Sequence, residues 1–229
     1  FENAQYDVSQ YSLWGGSISF NGSTLNSRQY ATGGYSDALV AQIVSGTETF
    51  QQGFKPTDRN KAYGQVQTWL QLSYDRESYH KITSKYTLGW SIKALYASKN
   101  FSENYTATLL QAGEFTPTPH SMTTYNQAFR ANQFVAGGIK PIYFLTDQLH
   151  LRTEIYAFLP IFPIERNSID KPYYGKAFSQ FEYMGEVSLV FQMSFGAVSA
   201  YVNHYSSPKQ EWNIGITLGW LLFNNRFVE

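Results

Sequence analysis

Apolar and polar residues alternate with a period of two in several segments of about ten residues, the length of a tilted membrane-crossing strand. In 212–220, one face carries Trp212, Ile214, Ile216, Leu218 and Trp220, and the other carries Asn213, Gly215, Thr217 and Gly219. In 86–97, the first face carries Tyr86, Leu88, Trp90, Ile92, Ala94 and Tyr96, against Thr87, Gly89, Ser91 and Lys93. Because helical spacing would scatter these sets around the whole surface, the pattern predicts β-strands.

The same alternation extends the predicted strands along the rest of the chain. It is regular in 65–75, where Trp69 is the exception on the polar side, and in 182–193. Less regular segments of similar length occupy 14–21, 39–50, 105–111, 133–144, 149–159 and 195–205. Together these segments predict about ten strands in one all-β domain that covers residues 1–229.

The amino-acid composition indicates what surrounds these strands. Aromatic residues make up 17% of the chain and charged residues 15%, against about 25% charged residues in an average soluble domain. So many rings and so few charges indicate that the apolar faces lie against lipid. The longest nearly apolar stretch, 158–164, is interrupted by Pro160 and Pro163 and is far shorter than the roughly 20 residues of a membrane-spanning helix.

Since backbone polar groups must be paired inside a membrane, these observations predict a transmembrane antiparallel β-barrel in the outer membrane of a Gram-negative bacterium. The mean hydropathy of −0.34 is compatible with this fold because alternating strands have mild average hydropathy. Outer-membrane lipids are the expected surroundings. A formal net charge of zero and the lack of a basic stripe argue against a nucleic-acid partner.

The lengths of the connections predict which end of the barrel faces the periplasm. The links at 145–148 and around Ser194 are tight, whereas 112–131 and 160–180 are long and rich in Pro, Asn, Ser and Tyr. Bacterial barrels have short periplasmic turns and long outer loops, so this alternation predicts a periplasmic C-terminal end. The link at 51–61 is long for the periplasmic side on which a ten-strand count places it.

The alternation also assigns candidate functional positions. Charged residues that it directs inward are predicted to line the lumen, where pairing is favoured over ion selectivity. These are Lys93, Lys140, Arg152, Glu154, Glu182 and Glu186. Outward aromatic residues are predicted to form interfacial girdles. These are Trp14, Tyr86, Trp90, Tyr96, Trp212 and Trp220.

Catalytic chemistry is weakly indicated. The best grouping is Asn203, His204, Ser206 and Ser207, which could form a Ser-His-Asn site but is better explained as a polar strand end. His80, His120 and His150 lack partners at metal-ligand spacing, and the chain has no Cys. We therefore predict no catalytic residue, no metal site and no cofactor. The long connection 112–131, with Arg130, either enters the lumen or covers the outer mouth.

Five stretches resemble the C-terminal barrel of bacterial patatin-like phospholipases, a barrel related to those of the outer-membrane assembly factors. They are the sequences FTPTPH at 115–120, FRANQF at 129–134, GIKPIY at 138–143, LHLRTE at 149–154 and WNIGITLG at 212–219. The resemblance covers about half of the chain, and the matching stretches belong to barrel strands and loops.

This resemblance implies a barrel that anchors, or helps to export, an upstream patatin-like lipid acyl hydrolase domain. The Gly-x-Ser-x-Gly motif that carries the family's catalytic serine does not occur in this sequence. The family's barrel resembles one of sixteen strands, so the chain, which starts at Phe1, is expected to be a fragment of a larger barrel. The alternatives are a complete ten-strand porin or adhesin-type barrel and a barrel enzyme that acts on membrane lipids.

Overall fold

The computed structural model describes residues 8–51, 62–207 and 212–220. Nine long strands are β1 (Val8–Ser23), β2 (Gly34–Gln51), β3 (Ala62–Lys81), β4 (Tyr86–Ala97), β7 (Gln133–Phe144), β8 (Leu149–Pro160), β11 (Glu182–Met193), β12 (Gly196–Tyr205) and β13 (Trp212–Trp220). Short elements in the connections are helix α1 (Tyr105–Gln111), strands β5 (Gly113–Glu114), β6 (Arg130–Ala131), β9 (Ile164–Arg166) and β10 (Pro172–Tyr174), and 3-10 turns at Ser121–Thr123 and Gln127–Phe129.

The nine long strands form one antiparallel sheet in the order β1-β2-β3-β4-β7-β8-β11-β12-β13. Each strand therefore pairs with the long strand before it and the long strand after it in the chain. Among the described residues, β1 and β13 are the two edges of this sheet. The all-β class and nine of the ten predicted strands are confirmed, because period-two alternation is a local property that survives folding.

The prediction of a strand at 105–111 is wrong, since these residues form helix α1. Asn104 caps the helix: its side chain accepts hydrogen bonds from the backbone N–H groups of Thr106 and Ala107. An Asn at this position satisfies donors that a helix leaves unpaired, and it stabilises helix over strand. Among the described residues, no helix combines the length and the apolar character needed to cross a membrane.

Replacing that strand by a helix changes which connections share an end of the sheet. The connections 98–132, 161–181 and 206–211 lie at one end, here called the long-connection end. Strand β2 ends and strand β3 begins at this same end. The link at 51–61, whose length was at odds with the ten-strand count, lies outside the described residues except for Gln51. The opposite, short-turn end carries 82–85, 145–148 and 194–195, together with the ten-residue connection 24–33.

The two faces of the sheet differ in chemistry. The outer face exposes large apolar side chains along most strands, and its exposure reaches 81% at Ile214. The inner face is covered by chain segments from both ends and carries nearly all of the buried charged residues. A water-soluble sheet has the reverse arrangement, with the apolar side chains buried and the polar ones exposed.

An aromatic cluster closes the inner face near the long-connection end. Phe115 and Phe129, from the connection between α1 and β7, pack on Phe134 of β7 and Phe158 of β8, with ring centroids 4.9 to 6.4 Å apart. Met184 and Tyr205 complete the cluster from β11 and β12. Burial of each such ring contributes about 1.5–3 kcal/mol, so the cluster holds the connection against the sheet.

Candidate functional site

The inner face is centred on a buried ion pair within β8. Arg152 and Glu154 are 3% and 4% exposed, and the Nε of Arg152 donates to Glu154. Arg152 also donates to the Tyr79 hydroxyl at 2.9 Å and to the carbonyl of Ala31 at 2.8 Å, and Tyr156 donates to Glu154 at 2.7 Å. Tyr79 lies on β3, about 14 Å of strand spacing away from β8, so the sheet curves toward this face.

A second ion pair extends this network to the neighbouring strands. The Nζ of Lys140 on β7 donates to Glu77 of β3 at 2.8 Å and lies 3.4 Å from the Tyr79 hydroxyl. Gly89 of β4 makes room for the Tyr79 ring, because a Cβ at Gly89 would lie 2.6 Å from it. The alternation at 65–75 stops short of Glu77 and Tyr79, although extending it by four residues directs both inward.

The third buried pair joins a connection to the sheet. His120 Nδ1 lies 3.0 Å from Glu186 of β11, and the ring stacks on Tyr201 of β12. The Tyr30 hydroxyl lies 3.5 Å from the other ring nitrogen of His120 and 2.6 Å from the Ser199 hydroxyl. His120 looked isolated in the sequence because Glu186 is 66 residues away.

A separate polar cluster lies on β1–β3 near the long-connection end. Glu48 accepts hydrogen bonds from Gln67 at 2.7 Å and from Tyr11 at 2.9 Å. Trp69, the exception to the alternation, is buried on this face beneath Lys99, whose Nζ lies 4.6 Å from the ring centroid and donates to Gln111. Burial lowers the pKa of Lys99 to about 8.

The two remaining predicted charges lie nearer to solvent. Lys93 is paired with Asp75 at 3.8 Å, and both side chains are partly exposed. Glu182 accepts from Gln180 at 2.9 Å and from the Ser206 hydroxyl. Lys140, Arg152, Glu154 and Glu186 are thus paired with neighbouring side chains, and a lumen-lining role for the six remains a prediction.

The predicted girdle residues occupy outer-face positions. Trp14 and Trp212 are 72% and 67% exposed and Tyr96 is 45% exposed, while Tyr86 and Trp90 are partly covered. The side chain of Trp220 lies outside the described residues. Tyr96, Tyr183 and Trp212 lie toward the long-connection end, and Tyr86, Tyr143 and Phe191 toward the short-turn end.

The structure places Asn203 and His204, of the grouping Asn203, His204, Ser206 and Ser207, on opposite faces of the sheet. Asn203 is buried on the inner face and accepts from Asn213 at 3.1 Å. His204 lies on the opposite face against Tyr183 and Trp212, since neighbouring residues of a strand point to opposite sides. Within the described ranges, no three His, Asp or Glu side chains lie close enough together to hold a metal ion.

The connection 112–131 packs on the inner face of the sheet, and its placement in a lumen remains a prediction. Its Phe115, His120 and Phe129 are buried against the sheet. Arg130 donates to the carbonyls of Leu109, Leu110 and Ala112 at the end of α1 and to Glu114 at 2.5 Å. The residues on either side of the connection are therefore tied to each other and to the sheet.

A cleft of about 480 Å³ opens between α1, this connection and the start of β11. Its walls are formed by Tyr105, Leu109, Tyr125, Asn126, Gln127, Ala128, Arg130, Ile164, Gln180, Glu182 and Ser207. Of these residues, the sequence singled out Arg130, Glu182 and Ser207. It did not group them, because the walls come from segments without a shared motif.

Comparisons with known protein families, with curated proteins and with solved structures find no similar protein. The resemblance noted at 115–219 therefore remains a prediction. Three features of the structure bear on function: an apolar outer face, an inner face with paired charges, and a cleft at one end.

Proposed function

We propose that this chain is the wall and filling of an outer-membrane β-barrel, which acts as an anchor and not as an open pore. The observation that carries the proposal is the inverted sheet, with exposed apolar side chains on the outer face and paired charges on the inner face. Lipid stabilises such a sheet, whereas water penalises the exposed apolar area.

The dimensions of the outer face support this proposal. Tyr86 and Tyr96 lie at the two ends of β4, ten residues apart. Ten residues rise about 33 Å along a strand, and a tilt of about 40° reduces this to about 25 Å, the height of the apolar band of such barrels. Aliphatic side chains lie between the aromatic ends, among them Ile92, Ile139, Leu151, Ile155, Val187 and Leu189.

The filled inner face supports an anchor over a pore. Phe115 and Phe129 block the space near one end, and Tyr30 and Ala31 cover the inner face from the other, with Ala31 bonded to Arg152. The buried charged side chains of Arg152, Glu154 and Glu186 are paired with neighbouring groups, which favours a packed interior over an open channel. What the anchor holds is proposed from the resemblance alone: an upstream patatin-like lipid acyl hydrolase domain.

The number of strands determines how the wall of the proposed barrel can close. The nine long strands of the described residues place the edges β1 and β13 in the same direction, so these two edges would meet in parallel. Bacterial barrels close with antiparallel neighbours and an even strand count. We propose that an odd number of further strands, from this polypeptide or another, completes the wall.

The test is insertion into lipid vesicles, measured by the quenching of tryptophan fluorescence by brominated lipids. Ile139 is 50% exposed in the middle of the outer face of β7, and Ile139→Arg is expected to weaken folding into vesicles by about 2–4 kcal/mol. The matched control is Ile169→Arg, at a 72% exposed position between β9 and β10, which should leave insertion unchanged.

A chain that stays folded and monodisperse in buffer without detergent, and whose tryptophans are not quenched by brominated lipid, would contradict the proposal. The anchored domain needs its own test, which is the intact mass of the native protein together with sequencing of its peptides. A mass well above 26.1 kDa with a Gly-x-Ser-x-Gly peptide supports a hydrolase anchor, and a mass equal to that of this chain contradicts it.

A further inference from the structure

The cleft between α1, the connection 112–131 and β11 has the composition of a ligand site. Its volume of about 480 Å³ lies within the roughly 300–1,000 Å³ of small-molecule sites. It combines two tyrosine rings, Tyr105 and Tyr125, with amide, guanidinium and carboxylate groups on its other walls. Apolar rings with a few convergent polar groups are what distinguishes binding pockets from surface irregularities.

Two buried donors in this cleft lack acceptors among the described residues. Asn126 is 7% exposed, and its Oδ1 accepts from the Ala128 N–H at 3.1 Å, but its Nδ2 has no partner. The Nε of Arg130 is also without a partner, although the other guanidinium nitrogens are bonded. A buried donor without an acceptor costs about 1–3 kcal/mol, which a ligand oxygen would offset.

The charges of the cleft indicate a neutral ligand. Arg130 is the cation and Glu182 the anion on its walls, and Glu114 also pairs with Arg130 at 2.5 Å. Glu182 accepts from Gln180 and Ser206, and because a carboxylate offers about four acceptor sites, it can still accept from a ligand hydroxyl. Because Glu114 already pairs with Arg130, an anion would find no free cation here, and a simple cation could pair with Glu182 but would offer no acceptor to the two unpaired donors. A neutral ligand with hydroxyl oxygens satisfies both requirements.

We propose that this cleft binds a neutral saccharide of one or two rings. Ring hydroxyl oxygens would accept from Asn126 Nδ2 and Arg130 Nε, and a ligand hydroxyl would donate to Glu182. The apolar C–H face of the sugar would pack on Tyr105 or Tyr125. A saccharide is the neutral ligand class that presents hydroxyl groups and an apolar face together, which is the combination on these walls.

The test is saturation-transfer NMR on the full chain, folded in an amine-oxide detergent that contains no sugar. The probes are glucose, galactose, N-acetylglucosamine and their β-linked dimers, with inorganic phosphate as an anionic competitor. We expect saturable binding of at least one saccharide with a Kd of about 0.1–10 mM and no competition by phosphate.

Two variants and one control make the result specific. Asn126→Asp keeps the oxygen that caps the 3-10 turn at Gln127–Phe129 but removes the donor, and Tyr105→Ala removes a ring face. Each is expected to weaken binding at least about tenfold, the effect of one lost polar or packing contact. Tyr173→Ala removes an exposed tyrosine outside the cleft and should change nothing.

The proposal is overturned by any of three results: no saccharide binds at about 50 mM, both cleft variants bind as the parent chain does, or phosphate displaces the sugar. Binding needs only the folded chain. Its failure is therefore distinguishable from a failure of membrane insertion, which the vesicle experiment measures separately.

Discussion

Two of the carboxylates buried on the inner face, those of Glu48 and Glu186, receive hydrogen bonds from side chains that are distant in the sequence. Glu186 has His120 as its partner, 66 residues away, and Glu48 has Tyr11, 37 residues away. A buried carboxylate without such a partner would be strongly destabilising. These residues therefore stabilise one arrangement of the connections, since only this arrangement pairs them.

Glu186→Gln tests the pairing directly. The amide keeps the size of the side chain but loses the negative charge that faces His120 across 3.0 Å. We expect the free energy of unfolding in detergent to fall by about 1–3 kcal/mol, measured as a lower Tm. Asp147→Asn, in the exposed turn between β7 and β8, is the control. An unchanged Tm in Glu186→Gln would show that the pair adds no stability.

The lowered pKa of Lys99 predicts that the stability of the folded chain depends on pH. Its pKa of about 8 in the folded chain lies below the value of about 10.4 in an unfolded chain. Between these two pKa values, the unfolded state binds more protons than the folded state. Lys99 therefore makes the free energy of unfolding rise with pH in this range and fall as the pH falls toward 8.

The matched variant isolates this effect from other titrating groups. Lys99→Met keeps an apolar chain over Trp69 but cannot titrate. From pH 7.5 to pH 9.5, the parent chain should gain about 1–3 kcal/mol relative to Lys99→Met, measured by urea unfolding in detergent. A constant difference between the two chains across this range would refute the lowered pKa.

At the scale of elements, α1 illustrates what a short pattern leaves undecided. Residues 105–111 alternate well enough to resemble a strand, and seven residues are too few to separate a period of two from one of 3.6. The side chain of Asn104 decides the outcome locally, with bonds of 2.8 and 3.2 Å to the first turn. The alternation in the nine long strands had no such competitor.

Asn104→Ala should therefore loosen α1. Loss of an N-cap costs about 0.5–2 kcal/mol, so amide hydrogen exchange at residues 106–111 should become about 3- to 30-fold faster, which is that cost converted to a ratio. Asn104→Asp keeps an acceptor at the cap and should retain the slow exchange. Equal exchange in all three chains would mean that packing, not the cap, holds the helix.

At the scale of the whole molecule, the sheet is held from both ends. The connection 24–33 covers the inner face from the short-turn end, and 112–131 covers it from the other. Both contact β8, where Arg152 binds Ala31 and Phe158 packs on Phe129. The inner face is thus a packed interior made of polar as well as aromatic layers.

This interior predicts low conductance. In planar bilayers, the chain should give no steady ion current, whereas a variant in which a short Gly-Ser linker replaces residues 115–129 should conduct, because it lacks the blocking side chains of Phe115, His120 and Phe129. Phe162→Ala, outside both connections, is the control. A steady current in the parent chain would favour the porin alternative over an anchor.

The alternation of apolar and polar residues in the sequence sets the strands and their two faces. Alternation is set between neighbouring residues, and a strand turns each successive side chain to the opposite side, so nine strands, the exposed apolar face and the inward direction of Lys140, Arg152, Glu154 and Glu186 followed from it. Even Trp69, which broke the pattern, lies on the inner face that its position in the strand predicts.

The partners that the inward side chains contact depend on the tertiary structure. The partners of Glu186 and Lys140 lie more than 60 residues away, and the walls of the cleft come from α1, the 112–131 connection and β11. Contacts over such separations depend on the path of the connections, which carry no periodic signal. Because a helix replaces one predicted strand, the first four strands also run in the direction opposite to the one that the alternation predicted.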